Sequence, residues 1–180
     1  LGIARRTEKG IELRVHPTLI PEEELIANVN GVKNAVLVQA NAVGPTLYYG
    51  AGAGAGPTAS AVVADVIDIV RDISYTEDGA GTIPQLAFEA LTDLPILSRE
   101  EMTTGYYIRI NAEDQTGVLA DVTTILSRAG ISIDAIMQQS RLKDLIPIVI
   151  LTDPVLESKM DEALQQIQAL PTIHGEIVRI

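Results

Sequence analysis

The clearest periodicity in the chain begins at Tyr106. Tyr106, Ile108, Ile110 and Ala112 alternate with Tyr107, Arg109, Asn111 and Glu113, the two-residue period of a half-buried strand. From Thr116 to Ala129 the period changes: Val118, Leu119, Val122, Ile125, Leu126 and Ala129 fall at helical spacing on one face. Gly130 stands where a helix end takes a left-handed residue. Strands are predicted over Ile131–Gln139 and over Leu145–Leu151, which reads LIPIVIL. Asp153 and Pro154 read as the N-cap and first position of a second helix, burying Leu156, Met160, Leu164 and Ile167. A final strand is predicted over Ile173–Ile180. The order is βαββαβ, the ferredoxin-like arrangement, within residues 104–180.

The first half, residues 1–75, is patterned differently. A connector from Leu1 leads into a strand at Ile11–Val15. The stretch PTLIPEEEL holds a turn and a short helix start, and Asn30-Gly31 marks a turn. Strands are predicted at Ala35–Ala40 and Leu47–Gly50, with a turn at Val43–Pro45 between them. A helix from Thr58 to about Arg71 is apolar nearly all round, which predicts burial on most faces. Three strands cannot bury such a helix, so this half reads as part of a larger sheet with further strands before Leu1. Residues 76–103 mix Gly, Pro, Thr and acids without a sustained period; they read as a linker with a helical turn near Ile83–Phe88. The fold class is therefore mixed, α/β (α+β).

The segment VGPTLYYGAGAGAGPTASAVVAD carries the densest chemical signal. Gly50, Gly52, Gly54 and Gly56 remove side chains at every second position, where another group comes close to backbone or where helix and sheet pack tightly. The helix that follows opens at Pro57 and Thr58, so its free amides and positive dipole end face back toward that bare surface. Neither nucleotide motif is present. The sixth position after Gly50 and Gly52 is Ala55, after Gly52 and Gly54 it is Pro57, and no Gly-Lys-Ser/Thr follows.

Composition narrows the function classes. Net charge is −11 and the aromatic share is 3%, so the core is aliphatic and no basic face is offered to nucleic acid or to anionic membranes. No apolar run approaches the ~20 residues of a membrane span, and no signal peptide is read. The absence of cysteine removes disulfides, thiol nucleophiles and thiolate metal sites. A cytoplasmic protein is the expectation. Glu22, Glu23 and Glu24 read as acids complementing a helix dipole rather than as an acid/base cluster. His16 reads as structural, and His174 has no second His within sequence reach, so no metal site is expected. Tyr48 and Tyr49 straddle two faces of one strand, and Gln138 and Gln139 alternate on an edge suited to pairing between protomers.

The pattern NAEDQTGVLADVTTILSRAGISIDAIMQQ, set at the first strand and helix of a βαββαβ unit, resembles the ACT domain, a small regulatory module that commonly pairs and binds amino acids. The resemblance covers residues 105–180 and implies an effector site at Asp114, Gln115, Gly117, Val118, Asp134 and Ala135. Gly117 permits close approach, the helix-start amides suit a carboxylate, and Asp114 suits an α-amino group. Asp134 stands where many ACT domains carry Asn. VHPTLIP and the Gly-Ala segment resemble the end of the catalytic domain of bacterial homoserine dehydrogenases, in which an ACT domain frequently follows. That resemblance implies NADP- or NAD-dependent interconversion of homoserine and aspartate semialdehyde, threonine as feedback effector, and a homo-oligomer, dimer or tetramer. It implies cofactor contacts at Gly54 and, beside it, Gly52 and Thr58. It also implies that the Rossmann domain and the proton-transferring Lys precede Leu1, so no catalytic residue falls on this chain and the chain alone is inactive. The first residue is not Met, and a fragment is the expectation. The competing reading is a free-standing amino-acid sensor whose first half is an oligomerisation scaffold; a reading frame continuing upstream into a Rossmann domain separates the two.

Overall fold

A computed structural model describes residues 1–75, 92–138 and 145–180. They fall into two compact units, one of Leu1–Leu19 with Leu94–Ile180 and one of Ile20–Asp93. The helical turn expected near Ile83–Phe88 and the edge residue Gln139 lie outside the described residues.

The first unit is built on the alternation at Tyr106. Strands β6 (Tyr107–Glu113), β7 (Ile133–Gln138), β8 (Leu145–Thr152) and β10 (Val178–Arg179) form an antiparallel sheet of order β10-β6-β8-β7. Helices α2 (Val118–Arg128) and α3 (Glu157–Gln168) complete the ferredoxin-like βαββαβ fold. The register places Ile108 opposite Ile150 and Ile110 opposite Ile148, and these four side chains are buried with Val122 and Leu126 of α2 and Met160 and Ile167 of α3. Each such side chain contributes about 1.5–3 kcal/mol by leaving water, so this core holds the unit together. Helix α2 ends at Gly130 as its sequence predicts: Gly130 N–H donates to Ser127 O and Ile131 N–H to Leu126 O, while the Ile131 side chain caps the end by burial.

Two boundaries differ from the sequence reading. Asp153 and Pro154 do not open α3. Val155–Leu156 instead forms a short strand, β9, paired with β5 (Thr103–Thr104), and α3 starts at Glu157, whose N–H donates to Met102 O. Sheet pairing there outcompetes the local cap signal. The closing strand is also shorter than Ile173–Ile180: Ile173 bridges Ala112, and regular pairing resumes only at Val178.

The N-terminal residues are not a connector. β1 (Gly2–Arg6) and β2 (Ile11–Val15) form an antiparallel hairpin with Gly2 opposite Val15 and Arg6 opposite Ile11. Ile11 N–H donates to Pro95 O at 2.8 Å and Leu97 N–H to Ile11 O at 2.9 Å. A side chain at Gly10 would put its Cβ 2.2 Å from Pro95 O, so only glycine permits this approach.

The second unit holds a two-stranded hairpin, β3 (Lys33–Ala40) and β4 (Gly44–Ala51), and helix α1 (Ala55–Tyr75). Helix α1 begins three residues before the expected Thr58. The expected burial of this helix is not met within the chain. Val62, Val63, Val66, Ile67, Ile69, Val70 and Ile73 are all exposed, because a two-stranded hairpin cannot cover a helix that is apolar all round.

Candidate functional site

The Gly-Ala segment forms the passage from β4 to α1. Gly52 N–H donates to Val32 O, and a Cβ at Gly52 would overlap the Asn34 side-chain amide at 1.9 Å. That close approach is met inside the protein. Gly54 adopts φ 121°, a backbone form that other residues resist, and its carbonyl accepts the Thr58 N–H at 3.1 Å as the first helical bond. The amides of Ala55 and Gly56 therefore precede the helical ladder, and Pro57 has no N–H to offer. No acidic residue lies in the first turn of α1. Gly50 and Gly56 meet nothing within 4 Å of their missing Cβ atoms, so the surface beside them is bare backbone. Open glycine backbone next to free amides at a helix start fits the phosphate or carboxamide edge of a dinucleotide. Of the predicted contacts, Gly54 has the strained geometry, Gly52 is held by its bond to Val32 with the Asn34 side chain beside it, and the Thr58 amide is committed to Gly54.

In the ferredoxin-like unit the loop between β6 and α2 makes a second candidate site. Glu113, Asp114, Gln115, Gly117 and Val118 line a recess of about 280 Å³ with Gln138, Ile146 and Ile148. Gly117 sits at φ 100° as the residue before the helix, and Asp121 N–H donates to its carbonyl, so the loop turns sharply and presents the start of α2. Gln115 Nε2 donates to Glu113 Oε2 at 2.7 Å, and His174 Nε2 lies 2.8 Å from Glu113 Oε1. His174 thus pairs with a carboxylate beside the loop, and among the described residues no cluster suits a metal ion. Four of the six predicted effector residues come together here. Asp134 and Ala135 do not: they lie at the opposite end of the sheet, where Ala135 faces Leu151 across a bulge in β7.

Two charged clusters had no local sequence signal. Glu157 begins α3 and is nearly buried; its Oε2 accepts from the Tyr106 hydroxyl and its Oε1 from Arg99 Nη2 at 2.6 Å and Nε at 3.0 Å. Arg179 adds a contact to Glu157 at 3.3 Å and a hydrogen bond to Asp161 at 2.5 Å, and its guanidinium lies over the Tyr106 ring. Burial, then the bond to Glu157, pushes the Tyr106 hydroxyl well above its ordinary range. The hydrogen bond to Glu157, and then its charge, holds Arg99 more firmly protonated. Glu12, fully buried on β2, lies 2.9 Å from Arg5 Nε and 3.1 Å from Arg14 Nε. The Arg14 contact is an ion pair, since neither atom meets hydrogen-bond geometry. The partners join residues as far apart as 58 positions, and single-chain periodicity carries no trace of them.

Comparison with known proteins places both halves. A homoserine dehydrogenase family model matches residues 1–67, and an ACT domain model matches residues 106–172. The chain is 54% identical to a homoserine dehydrogenase of Pseudomonas aeruginosa over its whole length, covering 42% of that protein. Against the Neisseria gonorrhoeae homoserine dehydrogenase the identity is 48%, again over the whole chain and 42% of the relative. The crystal structure of a homoserine dehydrogenase from Thiobacillus denitrificans superposes with a TM-score of 0.88 at 54% identity, over 99% of this chain and 40% of that one. The chain thus spans about two-fifths of the length of the curated relatives it matches.

Proposed function

Because the chain belongs to the homoserine dehydrogenase family and carries an ACT domain, we propose that it forms the cofactor-facing end of the catalytic domain and the regulatory unit of such an enzyme. The whole enzyme interconverts L-homoserine and L-aspartate 4-semialdehyde with NADP or NAD, on the route to threonine and methionine. Both family matches running in order along one chain carry this reading. A nicotinamide held here would supply hydride chemistry, to C4 of the semialdehyde in reduction and from C4 of homoserine in oxidation. The residues here hold and orient it: Gly54 shapes the turn, Gly52 keeps the neighbouring backbone close to Asn34, and the helix that runs on through Thr58 presents its first amides. The Rossmann domain and the proton-transferring Lys lie in the remainder of the enzyme, so the 180-residue chain is catalytically silent.

The ACT domain receives threonine at the β6–α2 loop. Its carboxylate meets the amides at the start of α2, and Asp114 takes the α-amino group. Gln115 is held by Glu113, and Gly117 and Val118 form the floor. Asp134 and Ala135, remote from this loop within one chain, join a site completed by a second ACT domain. Strand β7, outermost of its sheet among the described residues and with Ile136 and Met137 exposed, is where two protomers pair, giving a dimer or tetramer. No helix among the described residues is long and apolar enough to cross a membrane, and the cytoplasm is the proposed location.

Calorimetric titration of threonine into the purified chain tests the regulatory half. Heat of binding or a rise in melting temperature is expected; silence with every amino acid would reduce the ACT domain to a pairing module. Turnover by this chain with NADPH and aspartate semialdehyde would overturn the placement of the catalytic groups elsewhere.

A further inference from the structure

The residues matched to the homoserine dehydrogenase family begin with a hairpin that folds not with α1 but with the ACT unit. Two attachments fasten it to residues 95–103, and a third contact ties those residues to α3. Backbone hydrogen bonds clamp Ile11 between Pro95 and Leu97, and Gly10 is required for that approach. The buried Glu12 carboxylate is held between Arg5 and Arg14, and Arg5 Nη2 also donates to Thr103 O at 3.2 Å. A turn at Arg99–Glu101, closed by a Ser98–Glu101 capping box, then presents Arg99 to Glu157.

These attachments meet β6 at its beginning, whereas the effector loop lies at its end. Strand β6 is a seven-residue rod, roughly 20 Å long, with Tyr106 before it and Asp114 after it. Tyr106 bonds Glu157, Glu157 bonds Arg99, and the backbone beyond Arg99 bonds Ile11 of the hairpin. A cleft of about 380 Å³ sits at this joint, lined by Arg14 and His16 from the hairpin and by Tyr106, Glu157 and Arg179 from the ACT fold. The guanidiniums facing it already meet carboxylates, so the cleft is a joint held by ion pairs rather than an anion site. Ion pairs around an open cleft re-form at small displacements more readily than a close-packed core does.

We propose that the β1–β2 hairpin is the coupling arm of the ACT domain. Effector bound at the β6–α2 loop shifts β6, the Tyr106–Glu157–Arg99 relay moves the 94–104 segment, and the hairpin carries the shift into the chain that continues at Ile20. The arm rests on the proposed reading of the ACT loop as the threonine site.

The test uses the full-length enzyme and its Glu12→Gln variant, with Arg5→Gln as a milder companion should the first fold poorly. In the unaltered enzyme, threonine slows hydrogen exchange both at the loop and at Ile11 and Leu97. In the variants, threonine binding by calorimetry and basal activity stay within about twofold, while the activity left at saturating threonine rises about threefold or more and the exchange change at Ile11 and Leu97 disappears. Inhibition unchanged in both variants overturns the arm, as does an unaltered enzyme whose hairpin amides ignore bound threonine. If threonine neither binds nor inhibits, the effector reading fails, and exchange without ligand decides the arm. Faster exchange at β6 amides in Glu12→Gln supports it, and acceleration confined to residues 2–15 overturns it.

Discussion

The Tyr106 hydroxyl donates a hydrogen bond to the Glu157 carboxylate across 51 residues of sequence, joining the entry of β6 to the start of α3. Its folded-state pKa lies above the ordinary value of 10.0, because burial and the bond to Glu157 both oppose a phenolate. The stabilisation is therefore complete below pH 10 and is lost as the pH rises beyond it. Tyr106→Phe removes this dependence along with the hydrogen bond. Urea denaturation should show a loss of about 1.5–3 kcal/mol at pH 8, the usual scale for a bond to a charged group. The gap should narrow above pH 10 as the unaltered chain weakens; parallel curves would dissociate Tyr106 from the alkaline transition.

Glu12 is fully buried, and its removal leaves the mostly buried Arg14 without a counter-charge. Glu12→Ala should destabilise the chain by roughly 3 kcal/mol, the scale of a broken buried pair. Arg5 is half exposed, so Arg5→Ala should cost about 1 kcal/mol or less in the same denaturation experiment.

Helix α1 gives a prediction that depends on context. Val62 is 56% exposed in this chain, so Val62→Ser should change its stability by no more than about 0.5 kcal/mol. If further strands of the whole enzyme cover α1, the same substitution there should cost about 1–3 kcal/mol. Leu126→Ala, in the ACT core, should cost about 2–5 kcal/mol in either context. Equal and small effects of Val62→Ser in both would mean that α1 stays uncovered.

Gly54→Ala forces a side chain onto a backbone at φ 121° and reshapes the turn before α1. In the full-length enzyme it should raise the KM for the dinucleotide by about tenfold or more, since strain of about 1–3 kcal/mol falls on the element proposed to meet the cofactor. Gly50→Ala, with open space at its Cβ and no strained φ, separates steric contact from strain. A raised KM there marks cofactor in direct contact with that surface.

The ACT fold was legible because its strands and helices each bury one face. The alternation at Tyr106–Glu113 and the helical stripe from Val118 reproduce the observed core almost side chain by side chain. Helix α1 is legible as a helix, and its exposure in this chain agrees with the expectation that the strands beside it cannot cover an all-apolar helix. The Asp153-Pro154 signal failed because pairing of β9 with β5 depends on Thr103–Thr104, some fifty residues away. Of the hairpin, the strand Ile11–Val15 is legible, whereas Gly2–Arg6 reads as a connector because Ile3 alone marks it, and the buried Glu12 looks like surface in a short polar segment. At the effector loop, Asp114, Gln115, Gly117 and Val118 converge as expected, whereas the part played by Glu113 and His174 came from a contact 61 residues apart.

The proposed function joins dehydrogenase chemistry to control through the ACT domain in one enzyme. Its most direct test follows NADPH oxidation by the full-length enzyme with L-aspartate 4-semialdehyde while threonine is added. Turnover that falls as threonine saturates the ACT domain is the predicted result. Turnover unchanged by saturating threonine, or no NADPH or NADH oxidation with this substrate, would contradict the account.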